Sequence, residues 1–333
     1  MAFLEVINLT TAESLMEELK PWGKSFAVNE YIFRGHSDAS YPLVPSALRV
    51  GTQLWHDFTE NKAELNKREN SEVFQVLGEF SILAEFYKLA DRRGLPVPVA
   101  DSIRRWMVSD SMLHAALWLK IRQWIPDDLL EVAALAQHYG VPTSLLDWSY
   151  DPFTAAYFAA QISKRDKKKP ENFCVWALNR SVLSTMSMLD LPLRFVTPHM
   201  AGNQNICAQS GLFTLWRRKD LLKETESISE LFTQELAGRS PFKQVDRRGL
   251  DEHLKEAMEA LMKQQGDDTG FDGMFNVFKK FVVPSSEKNN LIQLLNSAGL
   301  GASKIFPGYG GCATEVNDNR IPKIRLKPID DQT

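Results

Sequence analysis

The chain is short of cysteine, of surplus charge and of long apolar runs, and each shortage removes a class of protein. Its three cysteines, Cys174, Cys207 and Cys312, are odd in number and far apart, which fits neither a disulfide framework nor a zinc site built from paired ligands. They suit a reducing cytoplasm. Lys and Arg total 39 against 42 Asp and Glu, so the overall basic excess that drives non-specific attachment to nucleic acid is missing. No apolar stretch is long enough to span a bilayer, and "MAFLEVINLTTAESLMEEL" at the N-terminus lacks a basic region ahead of an apolar core, so neither export nor a membrane partner is expected. There is no Walker-type phosphate loop, no G-x-G-x-x-G after a strand and no G-x-S-x-G elbow. No His or Cys pair has metal-ligand spacing, and no metal is expected.

What is present is a core-forming chain of 333 residues, 44% of them apolar. "FLEVIN" reads as a short strand, and Thr10 with Glu13 three positions later has the capping-box spacing for the helix that follows. In "YIFRGHSDASYPLVPSALR", residues 31 to 49, a strand places Ile32 and Arg34 on one face and Tyr31 and Phe33 on the other, with Gly35 ending it or allowing a close approach. From about 55 to 139 the pattern is mostly helical. It includes "DSIRRWMVSDSMLHAALWLKIRQW", with Ile103, Met107, Leu117, Ile121 and Trp124 at helical spacings and Asp110 and His114 as a local i,i+4 pair.

"PDDLLEVAALAQHYG" is a helix closed by Gly140. "TSLLDW" then gives a strand, and Asp151 with Pro152 opens another helix. "FCVWALNR", "LRFVTPHM" and "NICAQSGLFTLWRR" read as strands, residues 218–278 as a polar helical insertion, and "KKFVVPSSEKNNLIQLLNSAGLG" as a strand and a serine-capped helix closed by Gly299. The fold class expected is α/β (α+β): a small split mixed or antiparallel sheet, with large helical insertions at about 55–139 and 218–278. One domain is expected over 1–315, and residues 316–333 read as a weakly ordered tail.

Arg34, at the end of an apolar strand, has two readings. It either pairs with an acid on a neighbouring element or grips a phosphate bidentately, with Gly35 letting the ligand reach the backbone. Asp147 shares a strand face with Thr143 and Leu145, opposite Ser144, Leu146 and Trp148, and a carboxylate on so apolar a strand needs a partner, for which Arg34 is a candidate. His36 and His138 are candidates for an acid, a base or a ligand hydrogen-bonder. Gln209 reads as a strand residue whose amide binds either backbone or ligand.

Four blocks, "YIFRGHSDASYPLVPSALR", "LAQHYGVPTSLLDWSYDPFTAAYFA", "NICAQSGLFT" and "LGASKIFPG", together resemble the FRG domain family, named for a tripeptide of the Phe33, Arg34, Gly35 type. The family's central block is matched by His138, Tyr139, Gly140, Pro142, Thr143 and Leu145 to Trp148. "IFPGYGGCATEV" departs from the acidic Pro-Asp segment associated with the family. FRG domains are in turn distantly similar to ADP-ribosyltransferase folds, in which a first-strand arginine or histidine grips NAD and a late strand brings a glutamate. Gln209 stands at that late position, which leaves Asp147, Glu315 or an acid of the helical insertion to stabilise an oxocarbenium-like state.

The resemblance implies an ADP-ribosyltransferase-like enzyme that uses NAD to modify a macromolecule, RNA or DNA among the acceptors, as a toxin or phage-defence effector restrained by a cognate antitoxin protein. On that reading Arg34, Asp147 and Gln209 carry catalysis, while Arg34, Gly35, His36, His138, Tyr139, Thr143 and Trp148 bind NAD, an aromatic such as Trp148 or Tyr139 packing on nicotinamide. The alternatives are a non-catalytic nucleotide or nucleic-acid binding module and an NAD hydrolase.

Overall fold

The computed structural model describes residues 3–20, 30–52, 54, 71–99, 103–104, 123–161, 169–185, 191–199, 204–219, 244–264 and 276–320. Met107, Asp110, His114, Leu117 and Ile121 lie outside the described residues, as do residues 162–168 and the last 13 positions of the tail. In chain order the strands are β1 (Leu4–Asn8), β2 (Tyr31–His36), β3 (Gln123–Trp124), β4 (Leu145–Ser149), β5 (Asn172–Asn179), β6 (Leu193–Val196), β7 (Gly211–Trp216), β8 (Arg218–Lys219) and β9 (Phe278–Pro284). The helices used below are α1 (Ala12–Glu18), α2 (Glu72–Arg92), α3 (Leu130–His138), α4 (Pro152–Ala160), α5 (Arg180–Thr185), α6 (Gln204–Ala208), α7 (Leu250–Gln264), α8 (Lys288–Ser297), α9 (Ala302–Ile305) and α10 (Tyr309–Asp318).

Seven strands form one mixed sheet in the order β1-β9-β5-β2-β4-β7-β6, and β3 pairs with β8 apart from it. β1 runs parallel to β9, and the other ladders of the large sheet are antiparallel. The expected mixed sheet is present, wider than a small one. Its centre is also where it is weakest: β2 and β4 share a single register pair, Phe33 with Ser149.

The two-residue period of the strands sorts the core by face. On one face Tyr31, Phe33, Phe173, Val175, Ala177 and Phe281 pack under α1, α4 and α8. Further along the same face Leu145, Phe213 and Leu215 pack under α2 and α3. On the opposite face Ile32, Leu146, Trp148, Trp176, Leu212 and Phe278 meet α7 through Leu250, Leu254 and Met258. The alternations read in "YIFRG" and "TSLLDW" are therefore those of the structure.

Gly35 explains how α4 comes so close. A Cβ on it would lie 2.0 Å from the Ala155 carbonyl oxygen and 2.5 Å from the Ala159 nitrogen. The close approach expected at this glycine is that of a helix backbone, and any larger residue must push α4 off the strand.

Several local expectations are corrected. The cap of α1 is Thr11, whose side chain accepts from Ser14 N while Ser14 returns the bond, so Thr10 and Glu13 play no such part. No serine caps α8: Ser285 opens a 3-10 turn, and Glu287 instead accepts from Ala12 N of α1 at 3.0 Å. Trp124 belongs to β3 and not to a helix. The segment "NICAQSGLFTLW" divides into α6 and β7, because Ser210 takes a positive φ of 47° between them and ends the turn. Residues 316–318 are helical, within α10, where the tail was expected to start. Asp151 and Pro152 do open α4, and Gly140 and Gly299, with φ of 88° and 70°, follow α3 and α8.

Candidate active site

Between the two helical layers on one face, where β2 and β4 part, lies a cavity of about 270 Å³. Arg34 and Gly35 of β2, Asp147 and Ser149 of β4, His138 of α3 and Gln209 after α6 border it. Phe33, Phe158, Phe213 and Phe306 supply aromatic walls.

Arg34 organises the floor. Its Nη1 donates to the Asp147 backbone carbonyl at 2.6 Å and meets the Asp147 carboxylate at 2.6 Å. A side chain thus ties β2 to β4 where the backbone ladder has run out. The Arg34 Nε donates to His36 Nε2 at 2.9 Å, so that ring nitrogen is an acceptor and the proton sits on Nδ1, which donates to the Tyr41 carbonyl at 3.2 Å. Burial, reinforced by the positive charges of Arg34 and Arg49, holds the His36 pKa well below the usual imidazole value. A neutral His36 is what the Arg34 bond requires.

Asp147 is the ionised group of the cleft. Recession in the cavity favours its neutral form, but the charge and hydrogen bond of Arg34 outweigh this and hold the pKa at about 2. Solvent still reaches 59% of the side chain. The pairing read from the sequence is therefore real, and it leaves the carboxylate both charged and accessible. His138, across the cavity, has its pKa lowered by burial, against an upward pull from Asp147.

The structure brings together Arg34, Gly35, His138, Asp147, Trp148 and Gln209 around this cavity. Two of these differ from expectation in detail. Gln209 lies in the turn after α6, not on a strand; its backbone carbonyl accepts from Ser149 Oγ at 2.8 Å, and its position on the rim follows from that bond. The Trp148 ring belongs to the core of the opposite face and donates Nε1 to Thr214 Oγ1 at 2.9 Å, so it cannot stack on a ligand here.

The other three do not border the cavity. His36 sits behind Arg34 as its acceptor. Thr143 is wholly buried and donates to Gln137 Oε1 at 2.9 Å, thereby holding a glutamine that does border the cavity. Tyr139 ends α3 with 57% of its surface exposed, because the chain turns at Gly140 and swings the ring outward. Glu315 accepts from Ser303 N at the start of α9 and is not among the lining residues.

Gln137, Ser149, Phe158 and Phe306 were not singled out from the sequence. Gln137 beside His138 was the one available signal, since "AQHYG" ends a helix facing the β4 strand. Among the described residues no group of His, Cys, Asp and Glu is arranged to hold a metal ion, and no helix is long and apolar enough to cross a membrane.

Residues 29–169 match the family model of the FRG domain. The match contains Arg34, Gly35, His138, Asp147, Ser149 and Phe158 of the cavity, while Gln209, Phe213 and Phe306 come from outside it. No curated protein and no solved structure matches the chain.

Proposed function

We propose, with an FRG domain over residues 29–169 as the premise, that the chain is an ADP-ribosyltransferase-like enzyme that consumes NAD and modifies a macromolecule. The observation that carries this reading is an ionised, accessible carboxylate, Asp147, held against Arg34 at the floor of an aromatic-walled cavity. Breaking a bond between a sugar and a positively charged base builds positive charge on the sugar carbon, and a fixed carboxylate stabilises that charge. Arg34 keeps Asp147 ionised and in place. His138, Gln209 and Ser149 are the polar groups at hand to orient a ribose or an amide, and the phenylalanine rings replace Trp148 and Tyr139 as the surface for a flat base.

The volume sets a limit. At about 270 Å³ the cavity lies just below the range of about 300–1,000 Å³ usual for small-molecule sites, so it accepts one base-and-sugar unit with the rest of the dinucleotide outside. Arg34 also has less to offer a phosphate than an unpaired arginine, because its charge is already met by Asp147. That feature, with an amide at Gln209 in place of a glutamate, favours the second reading, a module that binds a nucleotide without turning it over.

One experiment separates them. The protein is incubated with labelled NAD and RNA, DNA or lysate protein, and nicotinamide release and label transfer are followed. Transfer that falls about a hundredfold or more in Asp147→Asn supports the enzyme. Release without transfer identifies a hydrolase. Nucleotide binding with no release under any acceptor overturns the enzyme and leaves the binding module. An effector role further implies growth arrest on expression and relief by a cognate antitoxin protein.

A further inference from the structure

A glutamine amide ends in two unlike atoms, and where the side chain is free to turn, either end can face a ligand. At Gln137 one end is already taken. Two hydroxyls converge on its Oε1: Ser46 Oγ, which opens a 3-10 turn over Ser46–Leu48, lies 3.0 Å away, and Thr143 Oγ1, just before β4, lies 2.9 Å away. Each hydroxyl also accepts a backbone N–H, Ser46 from Thr143 N at 3.1 Å and Thr143 from Leu145 N at 3.2 Å, so what each has left to give is its proton. The other acceptor in reach of Ser46, the Thr143 carbonyl at 3.3 Å, is farther off and already serves Ala47 N. The amide atom that meets two O–H groups is therefore the oxygen, and Nε2 is the end left over.

Gln137 is half-buried and borders the cavity beside His138. Among the described residues no protein acceptor takes its Nε2 protons. The other amide on the rim differs. The Gln209 side chain makes no hydrogen bond to the described residues, so it can turn either end to a ligand and selects neither. The cavity thus has an acceptor fixed by its charge, Asp147, and a neutral donor fixed by its neighbours, Gln137, within phenylalanine walls. A flat ring with an exocyclic carbonyl oxygen satisfies that donor, whereas the same ring with a methyl group there takes water from Nε2 and gives nothing back.

We propose that Gln137 is a ligand-contacting, specificity-determining residue, which donates from Nε2 to an exocyclic carbonyl oxygen on a flat heterocycle. Resting on the function proposed above, that oxygen belongs to the carboxamide of the nicotinamide ring. The carboxamide NH2 takes no part in the contact, because the Oε1 that could accept from it is occupied by Ser46 and Thr143. A ketone in place of the carboxamide is therefore accepted, and a methyl group is not.

The test titrates the full chain at neutral pH with nicotinamide, with acetylpyridine, which keeps the carbonyl and lacks the NH2, and with methylpyridine substituted at the same ring position, which lacks both. NMR follows the binding and the Gln137 side-chain amide signals, assigned by their loss in Gln137→Glu. The expected result is that nicotinamide and acetylpyridine bind within about threefold of each other and shift those signals, while methylpyridine binds about tenfold more weakly. In Gln137→Glu, which keeps an acceptor for Ser46 and Thr143 but presents no donor, the preference disappears. Should that variant not fold, Gln137→Leu, which has neither, must abolish the preference in the same way. Equal binding of the three rings overturns the assignment. So does binding by none of them, a Gln137 signal that does not move, or a preference that survives the substitutions. Nicotinamide release from NAD, measured on the same preparations, keeps the two proposals apart. Carbonyl selection without release sinks the enzyme and leaves the role of Gln137 standing, and release without carbonyl selection does the reverse.

Discussion

Arg34 meets Asp147 at 2.6 Å beside an open cavity, whereas Arg218 meets Glu79 at 3.5 Å with the carboxylate wholly buried. Burial pushes the Glu79 pKa up, and the partners that oppose it are Arg218, Ser144 and Trp124. Glu79 on α2 accepts from Trp124 Nε1 at 2.8 Å and from Ser144 Oγ at 2.6 Å, so it fastens the helical layer to β3 and to the start of β4. Asp147, three residues after Ser144, has its pKa held down at about 2 and stays open to solvent. One acid is thus sealed into a network that holds the strand, and the other is kept charged where a ligand can reach it.

The contrast is most easily broken at Glu79. Glu79→Ala strands Arg218, Ser144 and Trp124 and is expected to cost about 3–5 kcal/mol in chemical denaturation. A variant as stable as the parent would mean that the network holds nothing. Arg34→Ala is expected to cost less, about 1–3 kcal/mol, because it leaves the Asp147 carbonyl and His36 without their donor. Arg34→Lys should recover little of this, since an ammonium cannot span His36 and Asp147 as a guanidinium does.

Asp147→Asn sharpens the comparison from the other side. Its stability should stay within about 1 kcal/mol of the parent, as for an exposed ion pair, while on the proposed function nicotinamide release falls about a hundredfold. An equal loss of stability and activity would make Asp147 another Glu79.

The smallest effect is in pH. His36, His138 and His253 all have pKa values below the ordinary 6.5, so the unfolded chain binds more protons than the folded one under mild acid. Stability from these groups is complete above 6.5 and falls as pH drops through that value. Asp147, depressed from 3.8 to about 2, loses its share only as pH falls below 3.8. Melting temperature followed from neutral pH downward should therefore decline in two stages, and His36→Gln should flatten the first.

Much of the frame was legible because strand periodicity is local. "YIFRG" and "TSLLDW" sort their faces without knowledge of neighbours, and Asp151 with Pro152 announces a helix start in two letters. The Arg34–Asp147 pair, 113 residues apart in sequence, was legible as a candidate because a carboxylate on an apolar strand needs a partner, but the letters left a phosphate-gripping Arg34 equally open. The aromatic wall was not: Phe158 lies in "FTAAYFAA", whose apolar letters do not say which ring turns outward, and Phe306 arrives from 148 positions further on. Gln209 was misread because the β-like letters of "NICAQSGLF" hide a short helix that ends at a left-handed serine.

The matched span 29–169 holds β2 and β4 but neither β5 nor β7, the strands that flank them. Expressed alone, that fragment would keep one rung of backbone pairing in the large sheet and expose two raw strand edges to other chains. The matched span is thus a keystone, and the arch around it is assembled from both ends of the polypeptide.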